Sequence, residues 1–301
     1  MDFENLQREL FERKLKIGEY FKQSFGVLKV FITENKLLAG LLIAANIFIL
    51  FFNFLKQNIS LEAKITTQIG DMDTIVKKTI LNLVISLGIL IISIGVGFIR
   101  AIIYSKVTYK IEGRENEYKL KNIAFKYLKF IGVYFLLLMC IGIVVAVLVM
   151  LGVILLLLTR NVEIDFLKYL IFGILIATYV IIVLLLTLNT LYFIQTFYVR
   201  DMTIVDTFKY NLCLCKKNRL RILVPLLIIA LINCIFTIPF FIGVFVFMPK
   251  YIVFFISVVS GIISVVLSLI ATIMNIIIFL NVEYDYLKKQ DEEMRKIEEN
   301  I

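Results

Sequence analysis

The chain has no histidine, only three prolines and only four cysteines among its 301 residues. Because there is no imidazole, Ser-His-Asp hydrolysis, H-E-x-x-H zinc catalysis and histidine proton relays are excluded. The chain also lacks the G-x-x-x-x-G-K-S/T loop that P-loop ATPases require. Its carboxylates lie outside the long apolar runs or at their edges, so an aspartyl intramembrane protease is excluded as well. We therefore expect no enzymatic activity, no catalytic residue and no bound cofactor.

The four cysteines form neither a disulfide framework nor a metal-binding pattern. Cys140 and Cys234 fall within apolar runs, whereas Cys213 and Cys215 form a C-x-C pair in a charged connection. A structural zinc site needs four ligands, and no further cysteine or histidine near this pair supplies them. The sequence favours ordinary thiols over a metal or redox site, and we predict no metal ligand.

Charge is missing from six long stretches of the sequence. The charge-free runs are residues 37–55, 79–99, 130–159, 169–199, 222–249 and 251–282. Each is close to or above the roughly 20 residues with which a helix crosses hydrocarbon. Together with a hydrophobic content of 61%, they predict an all-α membrane protein with six transmembrane helices. The last four runs exceed the minimum, so we expect those helices to tilt or to continue into the headgroup region.

The basic residues are distributed unevenly between the two sides of these spans. The segment before the first span, the second-to-third and fourth-to-fifth connections and the C-terminal tail carry 25 Lys and Arg residues, whereas the remaining connections carry seven. Basic residues are retained on the cytoplasmic side during insertion. The sequence therefore predicts both termini in the cytoplasm and three hairpins that open outward. It places the protein in a cytoplasmic membrane, of bacterial type.

The net charge of +9 does not indicate a nucleic-acid partner, because the basic residues flank spans and alternate with acids such as Glu112, Glu115 and Glu117. Membrane retention explains them. Basic residues near a bilayer surface also attract anionic headgroups, by about 1 kcal/mol each. We expect membrane lipids as partners, with other membrane proteins or a second copy of the chain as further candidates.

An amphipathic segment precedes each predicted hairpin on the cytoplasmic side. Apolar residues recur at helical spacing within residues 21–32, 120–128 and 204–215. Thr203 and Asp206 resemble a capping box at the start of the third segment. A true internal repeat and three ordinary juxtamembrane helices are both compatible with this pattern. Residues 1–289 are predicted to form one membrane domain, and residues 290–301 a charged cytoplasmic tail that is solvated or contacts a cytosolic partner.

Three stretches resemble a known bacterial family. They are F-Y-V-R-D at 197–201 leading to T-F-K-Y-N at 207–211, R-L-R-I-L at 219–223, and N-V-E-Y-D-Y-L-K at 281–288. This pattern is similar to the six-helix membrane domain found alone or attached to glycerophosphodiester phosphodiesterases. The proline and glycine common near the end of that family's third span are missing here. No phosphodiesterase domain follows, so the resemblance implies a membrane-only relative and transfers no catalytic residue.

Two sets of polar residues lie within the predicted spans. The sixth span has a face of small and polar side chains at steps of three and four: Ser257, Ser260, Gly261, Ser264, Ser268, Ala271, Thr272 and Asn275. We interpret this face as a helix-packing surface, with a polar pore stripe as the alternative. The second set is a candidate polar cavity: Asn189, Tyr192, Gln195, Thr196, Asn233 and Thr237. Interhelical hydrogen bonds are the simpler explanation of this second set.

These features predict a non-enzymatic structural or accessory component of the membrane. The alternative is a transporter or permease subunit for a neutral or lipid-like solute, because such a solute moves along polar, uncharged surfaces. The lack of charges inside the spans argues against proton-coupled or voltage-sensing designs.

Overall fold

The computed structural model describes residues 2–69, 72–158, 165–245 and 249–299. Within those ranges every regular element is a helix. The helices are α1 (Phe3–Glu12), α2 (Ile17–Glu34), α3 (Lys36–Ile69), α4 (Met72–Ile111), α5 (Leu120–Leu158), α6 (Asp165–Asn189), α7 (Phe193–Val199), α8 (Ile204–Cys215), α9 (Arg219–Phe245) and α10 (Lys250–Glu298), with a 3-10 turn at Glu115–Glu117. The all-α prediction is confirmed for these residues.

Five helical segments of the described chain are long and apolar enough to cross a membrane: Lys36–Lys56, Met72–Ile111, Ile176–Val199, Arg219–Pro239 and Tyr251–Glu298. The chain is therefore a membrane-embedded, multi-pass protein. The third predicted span falls in α5, where the described residues include a shorter apolar stretch, Val145–Ile154. The six-span arrangement stays a prediction.

The chain divides into two compact units. Unit 1 consists of Met1–Tyr118 and Leu220–Ile301, and unit 2 of Lys119–Arg219. Unit 1 contains α1 to α4, α10 and nearly all of α9, whereas unit 2 contains α5 to α8.

Helix α10 is the central element of unit 1, and it packs against α1, α2, α3 and α4. Its part from Ile273 to Val282 is almost completely buried, and most residues at the end of α4, from Ala101 to Ile111, are buried as well. The first parts of α3, α4 and α10 instead expose large apolar side chains, as helices in lipid do. Unit 1 thus combines a lipid-facing half with a core resembling that of a soluble helical bundle.

The predicted amphipathic segments are helical. Helix α2 covers the first, the start of α5 the second, and α8 the third. Helix α2 buries Leu28 against the rest of unit 1 and leaves Phe25 and Ile32 exposed. Helix α8 begins as predicted, because the hydroxyl of its N-cap Thr203 accepts a hydrogen bond from the Asp206 backbone N–H at 3.2 Å.

Candidate functional site

Unit 1 contains a cavity of about 380 Å³ between α3, α4, α9 and α10. Five residues of the predicted packing face line it: Ser257, Ser260, Gly261, Ser264 and Ser268. The remaining lining residues are Asn46, Ile49, Leu50, Arg100, Thr237 and Val265. The wall therefore combines hydroxyl and amide groups with aliphatic side chains. The other faces of the helices that form it are apolar.

Serine hydroxyls of α10 join this helix to α9. The Ser264 hydroxyl donates to the Asn233 side-chain oxygen at 2.6 Å, and the Ser260 hydroxyl donates to the Phe236 carbonyl at 2.9 Å. Phe236 lies in the turn before Pro239, which has no N–H to donate within α9. The carbonyl that loses its donor at Pro239 is that of Ile235, four residues before the proline, so the Ser260 bond is an additional one to the neighbouring carbonyl. Two of the serines therefore have a structural task as well as a place on the cavity wall.

Gly261 of α10 lies directly against the Leu50 side chain of α3. A Cβ atom built on Gly261 would overlap Leu50 Cδ1 and lie 3.2 Å from Leu50 Cγ. The absence of a side chain at this position lets the two helices meet, as small residues do in membrane helix pairs. The same face of α10 thus packs closely against α3 at Gly261 and lines the cavity beside this residue.

Arg100 is the only charged residue on the cavity wall among the described lining residues. It is the first charge after the apolar run of α4, and its Nη2 donates to the Ser268 hydroxyl at 2.9 Å. Arginine has five N–H donors, so this bond leaves most of them for other partners. The guanidinium therefore gives the cavity a positively charged end.

The rest of the predicted packing face lies further along α10, in the buried core. Thr272 is buried and donates its hydroxyl to the Ser268 carbonyl at 2.8 Å, whereas Ala271 is half-buried. Asn275 forms a side-chain hydrogen bond with Tyr104 of α4. Its Oδ1 has no partner among the described residues. The predicted stripe is thus divided between the cavity and the core.

Four residues of the predicted polar cavity belong to unit 2, and two of them, Asn189 and Tyr192, bond to Asn211 of α8. The Asn211 side chain accepts from the Tyr192 backbone N–H at 3.0 Å and donates to the Asn189 carbonyl at 2.5 Å. The Thr196 hydroxyl donates to the Tyr192 carbonyl, and the Gln195 amide is placed to donate to the carbonyls of Leu191 and Tyr192.

These bonds connect the end of α6 with α7 and α8. The Tyr192 hydroxyl donates to the Asn218 carbonyl at 3.0 Å, and Arg219 donates to the Asn189 side chain at 2.6 Å. The geometry supplies each of these polar groups with a partner inside unit 2, as expected for a helix-connecting network. The other two residues of the predicted set, Asn233 and Thr237, belong to unit 1, beside Ser264 and the cavity.

Asn281 of α10 is a second polar centre, which the sequence reading did not single out as a site. Its Oδ1 accepts from the Leu15 backbone N–H at 3.2 Å and from the Tyr20 hydroxyl at 2.7 Å. Its Nδ2 donates to the carbonyls of Leu10 at 2.6 Å and Arg13 at 2.8 Å. One buried amide therefore provides hydrogen-bond partners for backbone groups at the end of α1 and in the connection between α1 and α2.

Arg221 of α9 completes this cluster. Its Nη2 donates to Asn281 and, at 3.0 Å, to the Tyr20 hydroxyl, while its Nη1 lies 3.7 Å from the Asp285 carboxylate. Burial raises the pKa of the Tyr20 phenol above its ordinary value, so the hydroxyl stays protonated and donates. A sequence signal existed in the polar Asn281 within an apolar run, but Tyr20 lies 261 positions away and Arg221 60 positions away.

The C-x-C cysteines occupy different environments in α8. Cys213 is exposed, whereas Cys215 is buried, and burial raises the pKa of its thiol. Within the described ranges no group of three or more Cys, Asp or Glu residues could hold a metal ion.

The stretches that carry the resemblance to the six-helix domain include Asn211 of unit 2 and Asn281 of unit 1, and both side chains form hydrogen bonds within their own unit. Comparison of the chain with models of known families, with curated proteins and with solved structures gave no match.

Proposed function

We propose that this chain is a non-enzymatic membrane protein that binds an amphipathic, lipid-like solute in the cavity of unit 1. The observation that carries the proposal is the lining of that cavity. Hydroxyl and amide groups of Ser257, Ser264 and Asn46 share its wall with aliphatic side chains such as Ile49 and Val265. A helix in lipid gains nothing by turning polar groups toward acyl chains, whereas a ligand with polar and apolar parts matches such a wall.

The size of the cavity limits the ligand. Small-molecule sites usually measure about 300–1,000 Å³. At about 380 Å³, this cavity takes the polar group and the first part of an apolar chain, and the remainder of a two-chain lipid would extend into the bilayer. The proposal therefore follows the alternative raised by the sequence, a protein that handles a lipid-like solute.

The proposed setting is a bacterial cytoplasmic membrane, with six spans in three hairpins and both termini in the cytoplasm. Contacts in unit 1 support the proposal that several of the predicted cytoplasmic segments lie on the same side of the membrane. Lys106 near the end of α4 donates to Asn35 at 2.5 Å, and Lys110 pairs with Glu34, both at the junction of α2 and α3. The basic ends of these helices thus lie together.

An accessory role is the second candidate, and it rests on the end of α10. Beyond the core this helix continues to Glu298, and nearly all its residues from Leu287 onward are exposed. A charged, exposed helix is a suitable contact for a cytosolic protein. Such a partner would make the chain an adaptor between the membrane and the cytosol.

Native mass spectrometry of protein extracted gently from its own membrane tests the proposal. We expect the wild type to retain a lipid-sized adduct and a Ser257→Leu variant to lose it. The Ser257 hydroxyl bonds to Val253 of its own helix, so this change fills the cavity without breaking an interhelical bond.

The matched control is Ala44→Leu, which adds a leucine to an exposed position of α3, one of the helices that form the cavity. This variant should keep the adduct. A wild type without any adduct, or an adduct that survives Ser257→Leu unchanged, would contradict lipid handling. A stable protein complex without an adduct would favour the accessory role.

A further inference from the structure

We infer that the ligand of this cavity is an anionic amphiphile whose phosphate-type headgroup is held by Arg100 and Ser268. The inference rests on the proposed function and specifies its ligand. It begins from the unusual position of Arg100, at the junction between the apolar run of α4 and the buried core of unit 1.

Arg100 differs from other arginines of unit 1. Four of them each pair with a carboxylate: Arg8, Arg13, Arg114 and Arg221. For Arg100, the described residues provide a serine hydroxyl and no carboxylate. A charge near hydrocarbon is costly unless it is paired or solvated. An anionic group in the cavity would pair with it.

The surrounding helices contain no acid at this depth. Helix α9 has no Asp or Glu, and the acid of α10 nearest to Ser268 is Glu283, about 22 Å away along the helix axis. Arg100 is exposed, and the helices that bear Arg100, Ser268 and Thr237 offer it no carboxylate nearby, so an anion of a bound molecule would be a partner that the protein itself does not supply.

The chemistry of the site favours an oxyanion with two or more oxygens. A guanidinium presents donors in a planar fork that matches phosphate or carboxylate. The Ser268 hydroxyl adjoins this fork at 2.9 Å. The aliphatic side chains of Ile49, Leu50 and Val265 continue the wall away from the charge. A headgroup at Arg100 with an apolar chain along α3 and α10 satisfies both parts.

The inference is tested by native mass spectrometry of the detergent-purified full chain. The protein is titrated with phosphatidylglycerol, with diacylglycerol of the same acyl chains, and with inorganic phosphate. We expect the wild type to bind phosphatidylglycerol on the order of tenfold more tightly than diacylglycerol. Arg100→Gln should abolish this preference, so that the variant binds the two lipids with similar affinity.

Two further variants control for charge and folding. Arg295→Gln removes the same charge from the exposed end of α10 and should keep the preference. Arg100→Lys retains a cation without the planar fork and should keep part of it. Size-exclusion elution at the wild-type position establishes that each variant is folded.

The possible outcomes separate this inference from the proposed function. A preference for phosphatidylglycerol that survives Arg100→Gln would overturn the inference, while diacylglycerol binding that is lost in Ser257→Leu would still support the proposed function. Binding of neither lipid by the wild type would overturn both. Inorganic phosphate that binds as tightly as phosphatidylglycerol would also overturn the inference, because the ligand would then need no apolar part.

Discussion

At the scale of single residues, Gly261 shows how one missing side chain shapes the cavity. It lies between Ser260 and Ser264 on the wall, and Leu50 of α3 occupies the space that its side chain would need. Most other glycines of the described chain would meet no atom within 4 Å on gaining a Cβ, for example Gly88 of α4. Gly261 therefore leaves room for Leu50, which would have to move aside if this position carried a side chain.

Gly261→Ala should lower the free energy of unfolding by about 1–2 kcal/mol, because Leu50 must move aside. Gly88→Ala is the control and should raise stability slightly, since alanine favours helix by about 0.5–1 kcal/mol. Both are measured by unfolding in detergent followed by circular dichroism. In a Leu50→Ala background the cost of Gly261→Ala should shrink, and an equal cost in both backgrounds would contradict the contact.

Asn281 connects α10 to the N-terminal part of unit 1 through several hydrogen bonds. Its amide is bonded to Leu10, Arg13, Leu15 and Tyr20, and it is only 1% exposed. Without the Asn281 amide, the buried groups that bond to it would have no hydrogen-bond partner there. The resulting loss of stability is larger than the net contribution of one hydrogen bond.

Asn281→Ala should therefore destabilise unit 1 by about 2–4 kcal/mol. It should also expose the connection between α1 and α2 to protease, because that backbone loses its partners. Asn281→Asp keeps the acceptor and loses the donors, so an intermediate effect is expected. Asn122→Ala at an exposed position should change stability by less than about 0.5 kcal/mol. Equal protease resistance of Asn281→Ala and wild type would refute this role.

At the scale of elements, α10 is one continuous helix with two different environments. Ile262 in its first part is exposed to the surroundings, whereas Ile277 in its second part is completely buried by other helices. Lipid tails are as apolar as a protein core, so lipid can fill the space left by a smaller side chain in the first part of α10. In the second part, which other helices enclose, a smaller side chain loses packing that lipid does not replace.

Ile277→Ala should cost about 2–5 kcal/mol, the usual range for a large-to-small change in a packed core. Ile262→Ala in the same helix should cost less than about 1 kcal/mol, because lipid fills the space. Thermal unfolding in detergent micelles compares the two variants directly. Similar losses at both positions would mean that α10 has one uniform environment.

The sequence predicted the helical elements more successfully than their surroundings. Apolar runs and the Thr203 cap are local signals, and the described residues of each run are largely helical, although the run 169–199 is divided between α6, which ends at Asn189, and α7, which begins at Phe193. Hydropathy could not reveal that Ile273 to Val282 is enclosed by protein, because lipid and a protein core select the same side chains. The contacts of Arg100 with Ser268 and of Asn281 with Tyr20 join residues 168 and 261 positions apart, which no periodicity encodes.

At the scale of the whole molecule, the division into two units groups distant parts of the chain. Unit 1 brings the first helices together with the last, whereas unit 2 is continuous in sequence. The cavity and the Asn281 cluster both belong to unit 1. A reading of six similar runs does not predict this asymmetry, because it depends on which helices pair.

The proposed orientation is tested by cysteine labelling in a background without the four native cysteines. With an impermeant thiol reagent on intact cells, Asp73→Cys should be labelled and Glu115→Cys protected, because the basic connections are retained in the cytoplasm. Both positions are exposed. Labelling of Glu115→Cys in disrupted cells is the control for reactivity. The reverse pattern in intact cells would overturn the orientation.

The bonds that Asn281 makes to Leu10 and Tyr20 also determine when unit 1 can be completed during synthesis. Asn281 follows Tyr20 by 261 positions. At roughly 5–20 residues per second, the ribosome reaches it roughly 13–52 s after Tyr20 has been made. During that interval the apolar sides of α1 and α2 have no α10 to cover them. Helix α4 can cover part of α1 earlier, and we expect the remaining apolar sides of α1 and α2 to lie on the bilayer surface until α10 has been synthesised.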